Sequence, residues 1–216
     1  MNKKLFVISG CSGVGKGTVL KEFMARNSQD FMLSVSCTTR KPRTGEVDGI
    51  NYFFVTHEEF EQAIEADKFL EYAQFAGNFY GTKKKFIKQK FEEGLNIILE
   101  IETQGALQVK KKMPEAVLIF IAPPGPRRTG NSAISYSDNS TSDDTFFDVE
   151  AGLVELEKRL RGRNTEDEET IQRRLAEAKI ELERSKQYDY VVINDDLERA
   201  ISEVEEITRK ELGANA

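Results

Sequence analysis

Residues 4–18 read KLFVISGCSGVGKGT, a continuous apolar run that stops at a glycine-rich turn ending in lysine. The run Lys4–Ser9 has the length and composition of a buried strand, and a helical pattern follows from about Lys16 to Arg26. Strand, turn and helix in that order open a parallel α/β sheet. The spacing from Gly10 to Lys16 is that of a phosphate-binding loop, G-x-x-x-x-G-K. Gly10, Gly13 and Gly15 allow backbone torsions that other residues resist, so the loop N–H groups can turn inward on a phosphate chain. The helix adds its positive N-terminal end, and Lys16 a mobile charge for the β- and γ-phosphates. Gly10, Ser12, Gly13, Val14, Gly15, Lys16, Gly17 and Thr18 are therefore the expected nucleotide-binding residues. The strict motif has Ser or Thr directly after the lysine; here Gly17 stands there, so Thr18 is left to touch a phosphate or a metal-bound water. A purely structural turn explains less, because strand, loop, lysine and helix occur together.

The rest of the chain bounds this reading. Its 216 residues suffice for one domain with a sizeable core. Apolar residues make up 39% and charged residues 31%, the balance of a soluble globular protein. A net charge of −6 argues against a general nucleic-acid binder, which needs a basic stripe. No apolar run reaches the roughly 18 residues of a membrane span. Cys11 and Cys37 make no disulfide framework, so a cytoplasmic chain with free thiols is expected. The one histidine, His57, excludes a two-histidine zinc site and gives no basis for a Ser-His-Asp triad.

Leu95–Ile101, Val117–Ala122 and Tyr188–Ile193 read as further buried parallel strands. Thr56 with Glu59 fits a capping box, and Asp195 with Glu198 resembles a second one. Leu153, Leu156 and Leu160 share a helical face, as do Ile171, Leu175, Ala178 and Leu182. Residues 34–82 break the strand–helix rhythm and read as a small mixed β subdomain holding one short helix. Residues 125–151 differ in composition from everything around them. They carry five Ser, three Thr and a net charge of −3, and read as one long flexible loop.

A second phosphate site is suggested by SVSCTTRKPRTGEVDG (residues 34–49) and the following Tyr52. Pro42 stiffens the chain between Arg40 and Arg43, and two held guanidiniums with a tyrosine hydroxyl suit a phosphate dianion. Alone this would be a solvated basic turn; beside a phosphate loop it gains weight. Here the sequence resembles the guanylate kinases. The resemblance is carried by GCSGVGKGT and SVSCTTRKPRTGE, and by FLEYAQFAGNFYGT (Phe69–Thr82) and ILEIETQG (Ile98–Gly105). It continues in FIAPP (Phe120–Pro124), KRLRGRNTEDEETIQRRL (Lys158–Leu175) and VINDD (Val192–Asp196). It covers almost the whole chain outside 125–151. The GKGT variant is itself familiar from nucleoside-monophosphate kinases.

The resemblance implies a P-loop three-layer α/β fold with a parallel sheet. Its core is 1–33, 83–124 and 186–216, with a GMP-binding subdomain at 34–82 and a helical lid at 152–185. It implies transfer of a phosphoryl group from ATP to GMP, and to dGMP, with Mg²⁺ accompanying ATP. Position by position, Ser36 and Glu71 resemble the guanine readers, and Thr82 and Glu102 line the guanine side. Arg40, Arg43, Tyr52 and Tyr80 resemble the clamp on the GMP phosphate. Glu102 stands where the family usually has Asp, one methylene shorter. Glu100 matches an acidic position near Mg²⁺ and its waters, and Asn194 a residue near the adenine. Arg159, Arg163 and Arg174 match lid arginines, which with Lys16 complete the implied catalytic set. An ionised acceptor phosphate needs no general base, so a catalytic histidine is not required.

Two other readings stay open at this stage. Guanylate-kinase-like modules also serve as non-catalytic scaffolds for phosphorylated partners, typically with eroded phosphate loops, and ATP binding discriminates that class. A kinase of another base specificity is opposed by Glu71 and Ser36. Cys11 stands where the family usually has Pro; both thiols read as small residues that fit, with inhibition by thiol modification the weaker idea. Within 125–151, Arg127-Arg128-Thr129 offers a site for a basophilic kinase, and residues 143–148 (DDTFFD) distantly resemble an adaptor-docking peptide. A tolerated insertion without a partner is the plainer reading of both.

Overall fold

The computed structural model describes residues 3–125, 134–135, 148–162 and 167–213. In chain order the elements are β1 (Leu5–Gly10), α1 (Lys16–Asn27), β2 (Phe31–Leu33), β3 (Cys37–Thr38), β4 (Phe53–Phe54) and α2 (His57–Glu65). Then come β5 (Phe69–Phe75), β6 (Asn78–Lys83), α3 (Lys84–Glu92), β7 (Asn96–Glu100), α4 (Thr103–Lys112) and β8 (Val117–Ala122). The chain ends with β9 (Ile134–Ser135), α5 (Val149–Gly162), α6 (Glu168–Arg184), β10 (Tyr190–Ile193) and α7 (Leu197–Glu211). No described helix is long and apolar enough to cross a membrane.

The contacts divide the chain into two units. One comprises Met1–Phe6 and Gln29–Ala116, the other Val7–Ser28 and Val117–Ala216. In the second unit the apolar runs do what continuous runs do in a parallel sheet. Val7, Ile8, every residue of β8 and every residue of β10 are buried. β10 lies parallel to β8, pairing Tyr190 with Ile119 and Ile193 with Ala122. On its other edge β10 takes β9 antiparallel, Val191 opposite Ile134. Two strand residues here cover an edge that would otherwise leave backbone groups unpaired. α1 and α7 are tied by Arg26, whose guanidinium donates to both oxygens of Glu198 at 2.8 Å. The expected faces of the two later helices pack inward, with Leu156, Leu160, Ile171, Ala178 and Leu182 all buried.

In the first unit β2 lies parallel to β7, with Phe31 opposite Asn96. The four-stranded sheet runs β4-β3-β6-β5. β3 pairs parallel with β4 and antiparallel with β6, and β5 pairs antiparallel with β6, so the sheet is mixed as expected for 34–82. Its core is Phe60 of α2, stacked between Phe69 at 4.3 Å and Phe79 at 5.3 Å, with Cys37 and Ala63 alongside. Burying each aromatic ring contributes about 1.5–3 kcal/mol. The Thr56 capping box is present: the Thr56 hydroxyl accepts from Glu59 N–H, and Glu59 accepts from Thr56 N–H.

Two expectations changed, and one short strand came without a signal. The second capping residue is Asp196, which accepts from Arg199 N–H, one position beyond Asp195. Asp195 is occupied otherwise, accepting from Asp196 N–H and pairing with the Arg199 guanidinium. β2 has three residues and no periodicity to announce it. The stretch 125–151, read from sequence as one loop, contains β9 and the first residues of α5. Residues 126–133 and 136–147 lie outside the described residues, and with them Arg127-Arg128-Thr129 and all of residues 143–148 except Asp148.

Candidate active site

The phosphate loop belongs to the second unit. Gly13 and Gly15 have φ of 90° and 92°, the left-handed region that glycine adopts at no steric cost. Gly10 is different. Its torsion is ordinary, but a Cβ there would stand 2.4 Å from the carbonyl oxygen of Ile121, so lack of space and not torsion selects glycine. Gly15 is the N-cap of α1 and offers no side chain, and its carbonyl accepts from Thr18 N–H and Val19 N–H. The first amides of a helix have no acceptor within it, which makes them available to an anion. Val14 N–H is not among the inward donors, because it donates to Cys11 O at 3.2 Å. Ser12, Gly17 and Thr18 are exposed, and Lys16 is partly exposed.

The Val14 carbonyl gathers two donors. Asn194 Nδ2 reaches it at 2.8 Å and Arg159 at 3.4 Å, while Arg159 also donates to Asn194 O at 3.1 Å. Asn194 is thus a buried brace behind the loop, its amide spent on Val14. Arg159, from α5, lies against the same loop. Arg174 is on α6, and Arg163 lies outside the described residues. The neighbouring Arg161 serves structure: it pairs with Glu157 and, twice, with Glu168. That guanidinium, helped by Gln172, holds the Glu168 carboxyl down to about 2. Cys11 is buried, its thiol 3.7 Å from Ala178 O.

The acceptor residues belong to the first unit. Arg40 is held in place by three neighbours. It donates to Glu46 at 2.8 Å and to Lys41 O at 2.8 Å, and lies 5.4 Å over the Tyr52 ring. Glu46 also accepts from Arg43 N–H at 2.7 Å, and these bonds, the one from Arg40 first, pull its carboxyl below the ordinary range. The Tyr52 and Tyr80 rings meet edge-on at 6.1 Å, and burial pushes the Tyr52 hydroxyl up. Arg40, Tyr52 and Tyr80 are therefore brought together, with Arg43 exposed at their margin. Glu46 belongs to the T-G-E stretch but was given no role from sequence; an acid three residues after Arg43 was the available signal.

Glu71 is the unusual group. It is 3% exposed, and its Oε1 accepts from the Thr82 hydroxyl at 2.6 Å. Burial pushes its carboxyl up, against the opposing effects of the Thr82 hydroxyl, the Thr82 N–H and the Lys112 ammonium. A buried carboxylate is costly unless its acceptor capacity is met, so this one is suited to a ligand with N–H donors. Ser36 is half-buried, with its carbonyl committed to Phe53 N–H. Glu100 ends β7 and Glu102 caps α4 without a side-chain bond to the helix; both are exposed. Cys37 is buried among the aromatic side chains behind the sheet. Among the described residues no three His, Cys, Asp or Glu side chains are grouped to hold a metal ion.

Comparison with known proteins relates the chain to one family. The family model described as Guanylate kinase matches residues 2–151 and 146–211. The chain is 46% identical over 201 residues to the guanylate kinase of Prochlorococcus marinus strain NATL2A, covering 93% of each. It is 45% identical over 203 residues to that of Bacillus anthracis, covering 94% of this chain and 86% of the relative. The crystal structure of guanylate kinase from Anaplasma phagocytophilum superimposes with a TM-score of 0.66 at 28% identity, covering 97% of this chain and 86% of that one.

Proposed function

This chain belongs to the guanylate kinase family, and by that membership it is a kinase that phosphorylates GMP with ATP; we propose that the two residue sets above divide the reaction between them. The loop Gly10–Thr18 holds the ATP phosphates, with Lys16 as the mobile charge. Arg40, Arg43, Tyr52 and Tyr80 hold the GMP phosphate. Glu71 accepts from the guanine N1–H and 2-amino group, with Thr82, Ser36 and Glu102 around the base. Residues 34–82 are thereby the acceptor subdomain and 152–185 the lid. Asn194 supports the ATP side from behind the loop. None of these residues is assigned to the ribose 2′-hydroxyl, so dGMP is an acceptor too. The reaction belongs to purine nucleotide metabolism, and two free buried thiols suit a reducing cytoplasm.

The buried Glu71 carboxylate carries this reading. Adenine offers no adjacent pair of ring and amino donors to it, whereas guanine does. The acceptor phosphate is already ionised at neutral pH, so the protein's work is to position it and neutralise charge. Lys16, Arg159, Arg163 and Arg174 supply positive charge to the transferring group. Mg²⁺ travels with ATP and keeps most of its waters, so it needs one or two oxygen donors and no protein cage. Beside the phosphate loop the exposed Thr18 hydroxyl is an oxygen donor of that kind, directly or through a water, and the bound ion would neutralise phosphate charge.

In a coupled assay of ADP release, GMP is expected to outrun AMP, UMP and dTMP in kcat/KM by about 10²-fold or more. Equal rates with AMP overturn the assignment. A pH dependence follows as well. Burial raises the Glu71 carboxyl, so it takes up a proton at a higher pH than an ordinary glutamate. Its acceptor form is then lost early on acidification. KM for GMP should climb as pH falls through that raised value, while KM for ATP does not follow it. A KM for GMP that stays flat on acidification would show that ionised Glu71 is not the reader.

A further inference from the structure

The structure assigns to one face of α4, the residues Gly105, Gln108 and Lys112, the positioning of Glu71 and through it the choice of base. This inference rests on Glu71 being the guanine reader. The three residues are spaced i, i+3, i+7 and so lie along one side of the helix. Each meets a different part of β5, and Lys112 and Gln108 grip it. Lys112 Nζ donates to Phe69 O at 2.9 Å. Gln108 Nε2 donates to Tyr72 O at 2.9 Å, and its Oε1 accepts from Tyr72 N–H at 3.3 Å. Gly105 faces the Glu71 side chain itself: a Cβ there would stand 2.7 Å from Oε2.

β5 needs these grips. It is an edge strand of its sheet, and its pairing with β6 is irregular between Phe69 and Glu71. An irregularity of that kind re-aims a side chain but leaves the strand weakly specified. The Gln108 carboxamide supplies the donor and acceptor that a neighbouring strand would, one residue from the carboxylate. On its other side the carboxylate is fastened by Thr82, whose hydroxyl donates to Oε1 at 2.6 Å.

Gly105 has no conformational reason to be glycine. It lies inside a ten-residue helix with no left-handed torsion, where alanine is the better helix former. What glycine provides is room for Oε2. The atoms a methyl group would crowd, Glu71 Oε2 first and Ile101 Cδ1 at 3.3 Å, are tips of flexible side chains and not backbone, so the carboxylate shifts and the fold survives. With Oε1 tethered to Thr82, the shift turns the carboxylate out of the plane of an incoming base.

The test compares GMP with IMP, whose base keeps N1–H but lacks the 2-amino group, as acceptors at saturating ATP. For Gly105→Ala, KM for GMP rises about tenfold and the GMP-over-IMP ratio of kcat/KM collapses; Gln108→Ala does the same several-fold. KM for ATP and the melting temperature stay at wild type in both. Adding Gly105→Ala to Glu71→Gln changes the ratio no further, because the two act through one group. If Glu71→Gln alone leaves the ratio intact, the reading of Glu71 fails. If it abolishes the preference while Gly105→Ala and Gln108→Ala preserve it, or lower only kcat or the melting temperature, the positioning role fails and the reading of Glu71 stands.

Discussion

Lys16→Met lowers kcat by about 10³-fold or more and leaves the fold in place. Lys16 opens α1 directly behind a glycine held at φ 92°, among the first helical amides, which have no acceptor within the helix. It forms no ion pair and no hydrogen bond among the described residues, so removing the ammonium strands no partner. Methionine keeps the length and the apolar stem. Thermal unfolding should therefore move by no more than about 2 °C, as for other partly exposed substitutions. The loss falls on the transition state, in which negative charge on the transferring phosphoryl oxygens has to be met. The measurement is ADP release under saturating GMP and ATP, with a melt on the same preparation. A folded variant that turns over at the wild-type rate removes Lys16 from the mechanism.

The parallel sheet was legible because its physics is written locally. Leu5–Ile8, Val117–Ala122 and Tyr190–Ile193 are apolar without alternation, as suits strands covered on both faces. Thr56 and Glu59 announced α2 because a capping box is a contact between near neighbours in sequence. β2, β3, β4 and β9 have two or three residues each and exist because a partner strand is present. Nothing in three residues distinguishes such a strand from a loop. Asp195 and Asp196 show the same limit from the other side: two adjacent acids both suit a cap, and the Arg199 guanidinium decides which is free to serve.

The candidate site divides in the same way. Lys16, Arg40, Glu71 and Arg159 could be named from sequence because each sits in a motif. What holds them could not. Asn194 was matched to the adenine side; that its amide nitrogen also braces the Val14 carbonyl, a partner 180 residues away, has no signal in the sequence. Gly10 was read as a torsional glycine, and only the nearby Ile121 carbonyl shows that space is the reason. Gln108 carries no motif signal at all, since its partner is the Tyr72 peptide 36 residues earlier. Arg161 lies between two lid candidates and is indistinguishable from them in sequence; its bonds to Glu157 and Glu168 give it to the helix pair instead.

Glu71→Gln is expected to separate function from stability in opposite directions. Glutamine keeps the shape and can still accept from the Thr82 hydroxyl at Oε1, but it exchanges a charged acceptor for an amide that donates. One guanine donor then faces an N–H, and KM for GMP should rise about 10²-fold while the preference over AMP shrinks. Stability moves the other way. Burial raises the folded-state carboxyl above its unfolded value. Between the unfolded and the raised folded value the native state binds more protons than the unfolded state, so wild-type stability falls as pH rises through that window. Above it the full cost of a buried charge is present, and glutamine never incurs that cost. The variant should melt at or above wild type at neutral pH, and the difference should narrow below the window. A carboxylate retained at a cost to stability is what a binding group looks like when its partner is a ligand. If Glu71→Gln instead melts well below wild type at neutral pH while GMP kinetics hold, Glu71 is a structural residue, and the guanine preference must be sought in Ser36 and Glu102.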